Sequence, residues 1–125
     1  MIATLGQVAL GGALGASARY LSGVAAVRLL GPGFPWATVF VNVAGSFLMG
    51  VLVVVLGEGS ANRLAPFLMT GVLGGFTTFS AFSLDAVALW QRGEIVPAAF
   101  YVLGSVVLSL AALTAGIALA RGFAP

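Results

Sequence analysis

The sequence predicts an all-α membrane protein, and three observations carry that prediction. Of the 125 residues, 61% are hydrophobic and only 6% are charged, and the mean hydropathy is +1.17. A soluble domain carries about 25% charged residues, so most of this chain has no water-facing side and belongs in a bilayer. The apolar runs are continuous rather than alternating, which excludes a transmembrane β-barrel. Short polar and glycine-rich breaks divide the runs into segments of the length that a helix needs to cross a membrane, about 20 residues.

Four spans follow in order. The first runs from about Ile2 to Leu30 and ends at the turn cluster Gly31-Pro32-Gly33-Phe34-Pro35. The second, from about Trp36 to Leu56, ends at the polar stretch Gly57-Glu58-Gly59-Ser60-Ala61-Asn62. The third covers about Arg63 to Trp90 and is followed by Gln91-Arg92-Gly93-Glu94; the fourth covers about Ile95 to Ala120. Ala16-Ser17-Ala18 has the small residues of a signal-peptidase site. No basic residue precedes the apolar run, however, and Arg19 follows it, so we read this stretch as a retained span. A single compact four-helix domain over residues 1–125 is expected, with no loop long enough for an extramembrane module.

The same composition excludes several chemistries. There is no cysteine and no histidine, so disulfides, thiolate metal sites and His-dependent triads are absent. Three carboxylates cannot build much of a hard-metal cage. The arginines are scattered at Arg19, Arg28, Arg63, Arg92 and Arg121, which leaves no basic patch for nucleic acid. An ordinary enzyme is not expected.

The arginines also fail to orient the chain. With four spans, Arg63 and Arg121 fall on one side, Arg28 and Arg92 on the other, and Arg19 lies within the first span. The positive-inside rule returns a tie. Either something else orients the protein, or it inserts both ways.

Polar residues inside a bilayer are expensive unless they face a partner or a water-filled cavity. In the second span Thr38, Asn42 and Ser46 recur every four residues, and in the fourth Tyr101, Ser105 and Ser109 do the same. Each set falls on one helical face. Interhelical hydrogen bonding and a lined pathway both account for such stripes. The third span contains Gly71-Val72-Leu73-Gly74-Gly75-Phe76-Thr77-Thr78 near its middle. Glycines and paired threonines weaken a helix, and a break here would free backbone carbonyls able to coordinate a cation. Close packing through small residues is the other reading. Beyond the glycines, Phe76, Phe79 and Phe82 recur every three residues, with Ser80 and Ser83 among them. Ring edges carry positive potential and favour an anion without a formal charge; lipid-facing or core packing is the alternative.

Two charged groups lie within spans. Arg19 follows the small-residue surface Gly11-x-x-x-Gly15 and either anchors at the interface or holds positive potential at a pore mouth. Asp85 needs a partner, proximity to water, or protonation.

Three motifs together resemble a known family. Gly11-Gly12-x-x-Gly15-Ala16-x-x-Arg19-Tyr20 is similar to its N-terminal signature. Val41-Asn42-x-x-Gly45-Ser46-Phe47-x-x-Gly50 is similar to its second, and Gly74-Gly75-Phe76-Thr77-Thr78-Phe79-Ser80-x-Phe82-Ser83 to its third and most specific. The chain thus resembles the Fluc (CrcB) fluoride channels along its whole length. The resemblance implies an antiparallel, dual-topology homodimer in the plasma (cell inner) membrane, with two pores through which fluoride leaves the cell passively. It implies a third helix broken at the glycines, and a central structural sodium ion held by the carbonyls of Gly74 and Thr77 from both subunits. It further implies an anion path lined by Phe79, Phe82 and Asn42, a polar track of Tyr101, Ser105 and Ser109, flanking Thr38 and Ser46, and Arg19 near the aqueous vestibule. Asp85 stands where the family commonly has glutamate, so no role is carried over to it.

Hydroxyl and amide donors can replace the water around a small, strongly hydrated anion. A fixed ammonium would hold it too tightly for conduction. These residues do not themselves choose fluoride over chloride; that step comes from the resemblance. An accessory subunit that moves no ion is one rival. Another is a small proton-coupled exporter of cationic drugs, which needs a membrane carboxylate and has only Asp85 to use. Asp85→Asn in a transport assay separates exporter from channel: it abolishes transport in the exporter and need not do so in the channel.

Overall fold

A computed structural model describes residues 1–57 and 60–123, so Glu58 and Gly59 of the second polar break, and the two C-terminal residues, lie outside the described residues. Its elements are helix α1 (Ile2–Leu30), helix α2 (Trp36–Val55), a 3-10 turn (Ser60–Leu64), helix α3, helix α4 (Phe79–Gln91) and helix α5 (Ile95–Phe123). α3 is wide and π-helical over Pro66–Leu73 and closes with one α-turn, Gly74–Phe76. Among the described residues there is no strand.

Among the described residues three segments are long and apolar enough to cross a membrane: Trp36–Val55, Asn62–Gln91 and Ile95–Phe123. α1 has the length, since its 29 residues extend about 43 Å at the usual helical rise. Its apolar character is diluted by Gly6, Gly11, Gly12, Gly15 and Gly23 together with Gln7, Ser17 and Arg19. Large apolar side chains such as Leu10, Leu14, Phe100, Leu103 and Leu110 point outward from the single chain. A surface of this kind suits lipid and not water.

The turns follow from local chemistry. Gly31 ends α1 at φ 81°, in the left-handed region, with its N–H still bonded to Val27 O at 2.9 Å. Gly93 takes φ 80° in the tight link between α4 and α5. There Arg92 donates from Nε and Nη2 to Glu94 Oε2, at 3.0 and 2.8 Å, and from Nη2 to Gly33 O at 3.1 Å. This ties the α4–α5 turn to the α1–α2 turn.

Packing is organised by glycine seams. α1 lies against α3 so closely that a Cβ on Gly15 would strike Val72 O, and one on Gly75 would come within 2.7 Å of Gly12 O. α2 lies against α5 in the same manner: Gly50 faces Leu113 O, and Gly116 faces Phe47 O. α2 and α5 leave the same pair of turns and run parallel. That register sets Thr38, Asn42 and Ser46 approximately level with Tyr101, Ser105 and Ser109.

The third span is interrupted, though not at the glycines. Gly71 and Gly75 are helical and make the close approach to α1, whereas the chain becomes extended at Thr77 (φ −86°, ψ 159°) and Thr78 (φ −154°, ψ 119°). Packing and break, alternatives on sequence grounds, thus occupy neighbouring positions. Gly15→Ala forces backbone apart and is expected to lower stability in detergent by about 1–3 kcal/mol. Gly6→Ala, with nothing within 4 Å of the added methyl, is the matched control and leaves the unfolding midpoint unchanged or slightly raised, never lowered.

Candidate ion pathway

The break leaves backbone groups without their helical partners, and three side chains supply replacements. In a continuous helix Thr78 N–H would bond Gly74 O; here it donates to Asn42 Oδ1 at 2.7 Å, while Asn42 Nδ2 donates to Thr78 O at 3.0 Å. One amide from α2 therefore satisfies both main-chain groups of one residue. This fixes the amide orientation, because Thr78 N–H is a donor and only the amide oxygen can accept from it. Gly75 O, which would have met the N–H of Phe79, accepts from Arg19 Nε at 3.0 Å. Ala81 N–H donates to Thr78 Oγ1 at 3.1 Å, so Thr78 also caps the N-terminus of α4.

This rearrangement has a second effect. Gly74 O has lost its donor to Asn42, and Thr77 O has lost its donor, Ala81 N–H, to the Thr78 hydroxyl. Two carbonyls at the break thereby lose their helical donors. Uncharged backbone carbonyl oxygens of this kind are chemically suited to a hard monovalent cation.

Beside the break, a cavity of about 370 Å³ opens between α2, α4 and α5. It is lined by Asn42, Ser46, Phe79, Phe82, Ser105 and Ser109 among the expected pathway residues, together with Gly45, Met49, Thr77, Thr78, Val106, Leu110 and Leu113. No lining residue carries a formal charge. Ser105 is 5% exposed and its hydroxyl has no partner among the described residues. By contrast Ser17, Ser22 and Thr114 each donate to the carbonyl four residues back on their own helix. Asn42 keeps one amide proton beyond the one given to Thr78. Phe79 and Phe82 lie with ring centroids 5.6 Å apart. Phe79 is 77% exposed in the single chain.

Thr38 and Tyr101 sit toward the end of the stripes and are committed elsewhere. Thr38 Oγ1 and Tyr101 Oη both donate to Asp85 Oδ2, at 2.8 and 3.0 Å. Asp85, left without a role in the sequence reading, is the acceptor that joins α2, α4 and α5. Its place three residues beyond Phe82, on the same helical face, is the signal that could have assigned it. Tyr101 is packed against Phe82 at 5.3 Å and is 1% exposed. Arg19 does not reach the cavity. It lines a separate, wider groove with Tyr20, Gly23, Arg28, Thr38, Val41 and Thr78.

This arrangement of an interrupted helix, uncharged donors and paired rings coincides with known sequences. The family model described as CrcB-like protein, Camphor Resistance (CrcB), matches residues 7–117. The chain belongs to the CrcB family. A CrcB relative from Cereibacter sphaeroides, named fluoride-specific ion channel FluC, is 68% identical over 123 residues, covering 98% of each chain. One from Paracoccus denitrificans with the same name is 60% identical over 116 residues, 93% of each chain. A third, from Agrobacterium fabrum and again so named, is 55% identical, covering 91% of this chain and 93% of its own.

Asn42→Ala strands the N–H and C=O of Thr78 inside the protein. We expect a loss of about 2–4 kcal/mol in detergent unfolding, since each unsatisfied buried group costs about 1–3 kcal/mol. The loss should exceed that of Ser46→Ala on the same face.

Proposed function

We propose that this CrcB-family chain is a fluoride-specific ion channel that lets fluoride leave the cell passively. The observation that carries the reading is similarity over nearly the whole chain to proteins bearing that name, at identities up to 68% among those compared. The cavity is suited to the task. Serine hydroxyls and an amide proton replace hydration, ring edges add weak positive potential, and the absence of a cation among the lining residues lets the ion leave. Similarity to channels also sets the exporter reading aside.

The working unit in this proposal is an antiparallel homodimer with two pores, and α1 crosses the membrane as a fourth span. Three features support it. The loop arginines favour neither orientation. Phe79, Ser80 and Leu84 form an exposed face of α4, on which the Ser80 hydroxyl meets only the Thr78 hydroxyl of its own chain at 3.3 Å, and a second copy would cover this face. Gly74 O and Thr77 O, freed of their helical donors, would hold a sodium ion together with the same atoms of the second copy. Such an ion would supply fixed positive charge between the subunits. The membrane in question is the plasma membrane, where export is useful.

The test is efflux from liposomes loaded with potassium fluoride or potassium chloride, triggered by valinomycin and followed by ion-selective electrodes. Rapid fluoride release with little chloride release is expected, slowed by Ser105→Ala about three- to tenfold for the loss of one donor. No release of either ion from folded, dimeric protein would overturn the reading.

A further inference from the structure

The turn between α1 and α2 is built more rigidly than a simple connection requires. Gly31 is in the left-handed region, Pro32 and Pro35 bracket the remaining residues, and Trp36 N–H closes back on Phe34 O at 2.8 Å. Arg92 reaches across from the α4–α5 turn to Gly33 O, one residue from Phe34, and is itself held by Glu94. The ring so delivered does not face lipid. Phe34 is half-buried in the cluster of Leu89, Ala98 and Tyr101, and meets Tyr101 edge-on at 5.5 Å and 85°.

Tyr101 is therefore gripped from two sides. Phe34 backs one side, and Phe82 lies at 5.3 Å on another. The hydroxyl between these contacts reaches Asp85 Oδ2, which also accepts from Thr38. Rings thus run in contact from Phe34 through Tyr101 and Phe82 to Phe79, from the membrane surface to the cavity.

We propose that Phe34, locked by the Arg92–Gly33 bond, is a positioning residue for conduction: it keeps the Tyr101 hydroxyl on Asp85 and so holds the polar end of the pathway in shape. Phe34 touches no ion in this account and acts only through Tyr101. The inference rests on the channel reading above.

The experiment is valinomycin-triggered fluoride efflux from liposomes containing the full chain. Phe34→Ala is expected to slow efflux about three- to tenfold, the range that loss of an aromatic contact and one hydrogen bond implies. In a Tyr101→Phe background, where no hydroxyl remains to be displaced, the same substitution costs less than about twofold. A purely structural loss would give the same factor in both backgrounds. Should Phe34→Ala not fold, the surface tether decides. Arg92→Lys keeps the charge but loses the fork that spans Glu94 and Gly33, and is expected to slow efflux as Arg92→Gln does.

The inference is overturned by unmodified rates in Phe34→Ala, or by equal factors in the two Tyr101 backgrounds. It is also overturned if neither Arg92 variant slows, or if only Arg92→Gln does, which assigns the effect to charge. If the unmodified chain itself releases no fluoride, the channel reading fails first, and the failure is visible as such.

Discussion

The pairing of the Asn42 amide with both main-chain groups of Thr78 is the constraint on which the rest of the site depends. A helix interrupted inside a membrane exposes groups that neither lipid nor a neighbouring turn can satisfy. Here α2 supplies a substitute with the same donor and acceptor spacing as a peptide unit. Gly45, one turn further along α2, leaves room for the methyl of Thr77, so the extended residues can approach closely enough for the pairing to form. Arg19 donates to a further carbonyl of the break, Gly75 O. The break is therefore a joint made by three helices, and Asn42, expected on the sequence to line a pathway, also has a structural duty.

That double duty changes how individual side chains are read. Thr38 and Tyr101 belong to the polar stripes, yet their protons go to Asp85, whereas Ser105 keeps an uncommitted hydroxyl in the cavity. Position on a stripe and availability to an ion are separate properties. Arg19 likewise has two attachments: its Nε is bound to the break, and its side chain fronts a groove that also contains Arg28.

The sequence made much of this legible because the membrane simplifies the problem. Continuous apolar runs and turn clusters located the helices, and four-residue spacing placed Asn42, Ser46, Ser105 and Ser109, which line one cavity. The point of interruption was not legible. Glycine weakens an isolated helix, but Gly71 and Gly75 are held helical by contact with α1, and this tertiary contact moves the break to Thr77 and Thr78. The role of Asp85 was hidden for a related reason. A carboxylate in a bilayer is defined by its acceptors and donors on other helices, and neither Thr38 nor Tyr101 is near it in sequence. Among the described residues α1 is not one of the spans apolar enough to cross a membrane; its Gly11 and Gly15 serve packing against α3 at the expense of hydropathy.

The interruption also has an electrical consequence. Cutting one helix in two creates a carbonyl-rich end at Gly74–Phe76 and an amide-rich end at Phe79, only a few residues apart and far from either membrane surface. The partial charges of helix termini, normally spent at the bilayer edge, are thus brought to its interior with opposite signs close together. The negative end carries the carbonyls of Gly74 and Thr77, and the positive end lies beside the cavity lined by Phe79 and Asn42. If the proposed sodium and fluoride both bind, a protein with few charged groups would hold ions of either sign using only the direction in which its backbone runs.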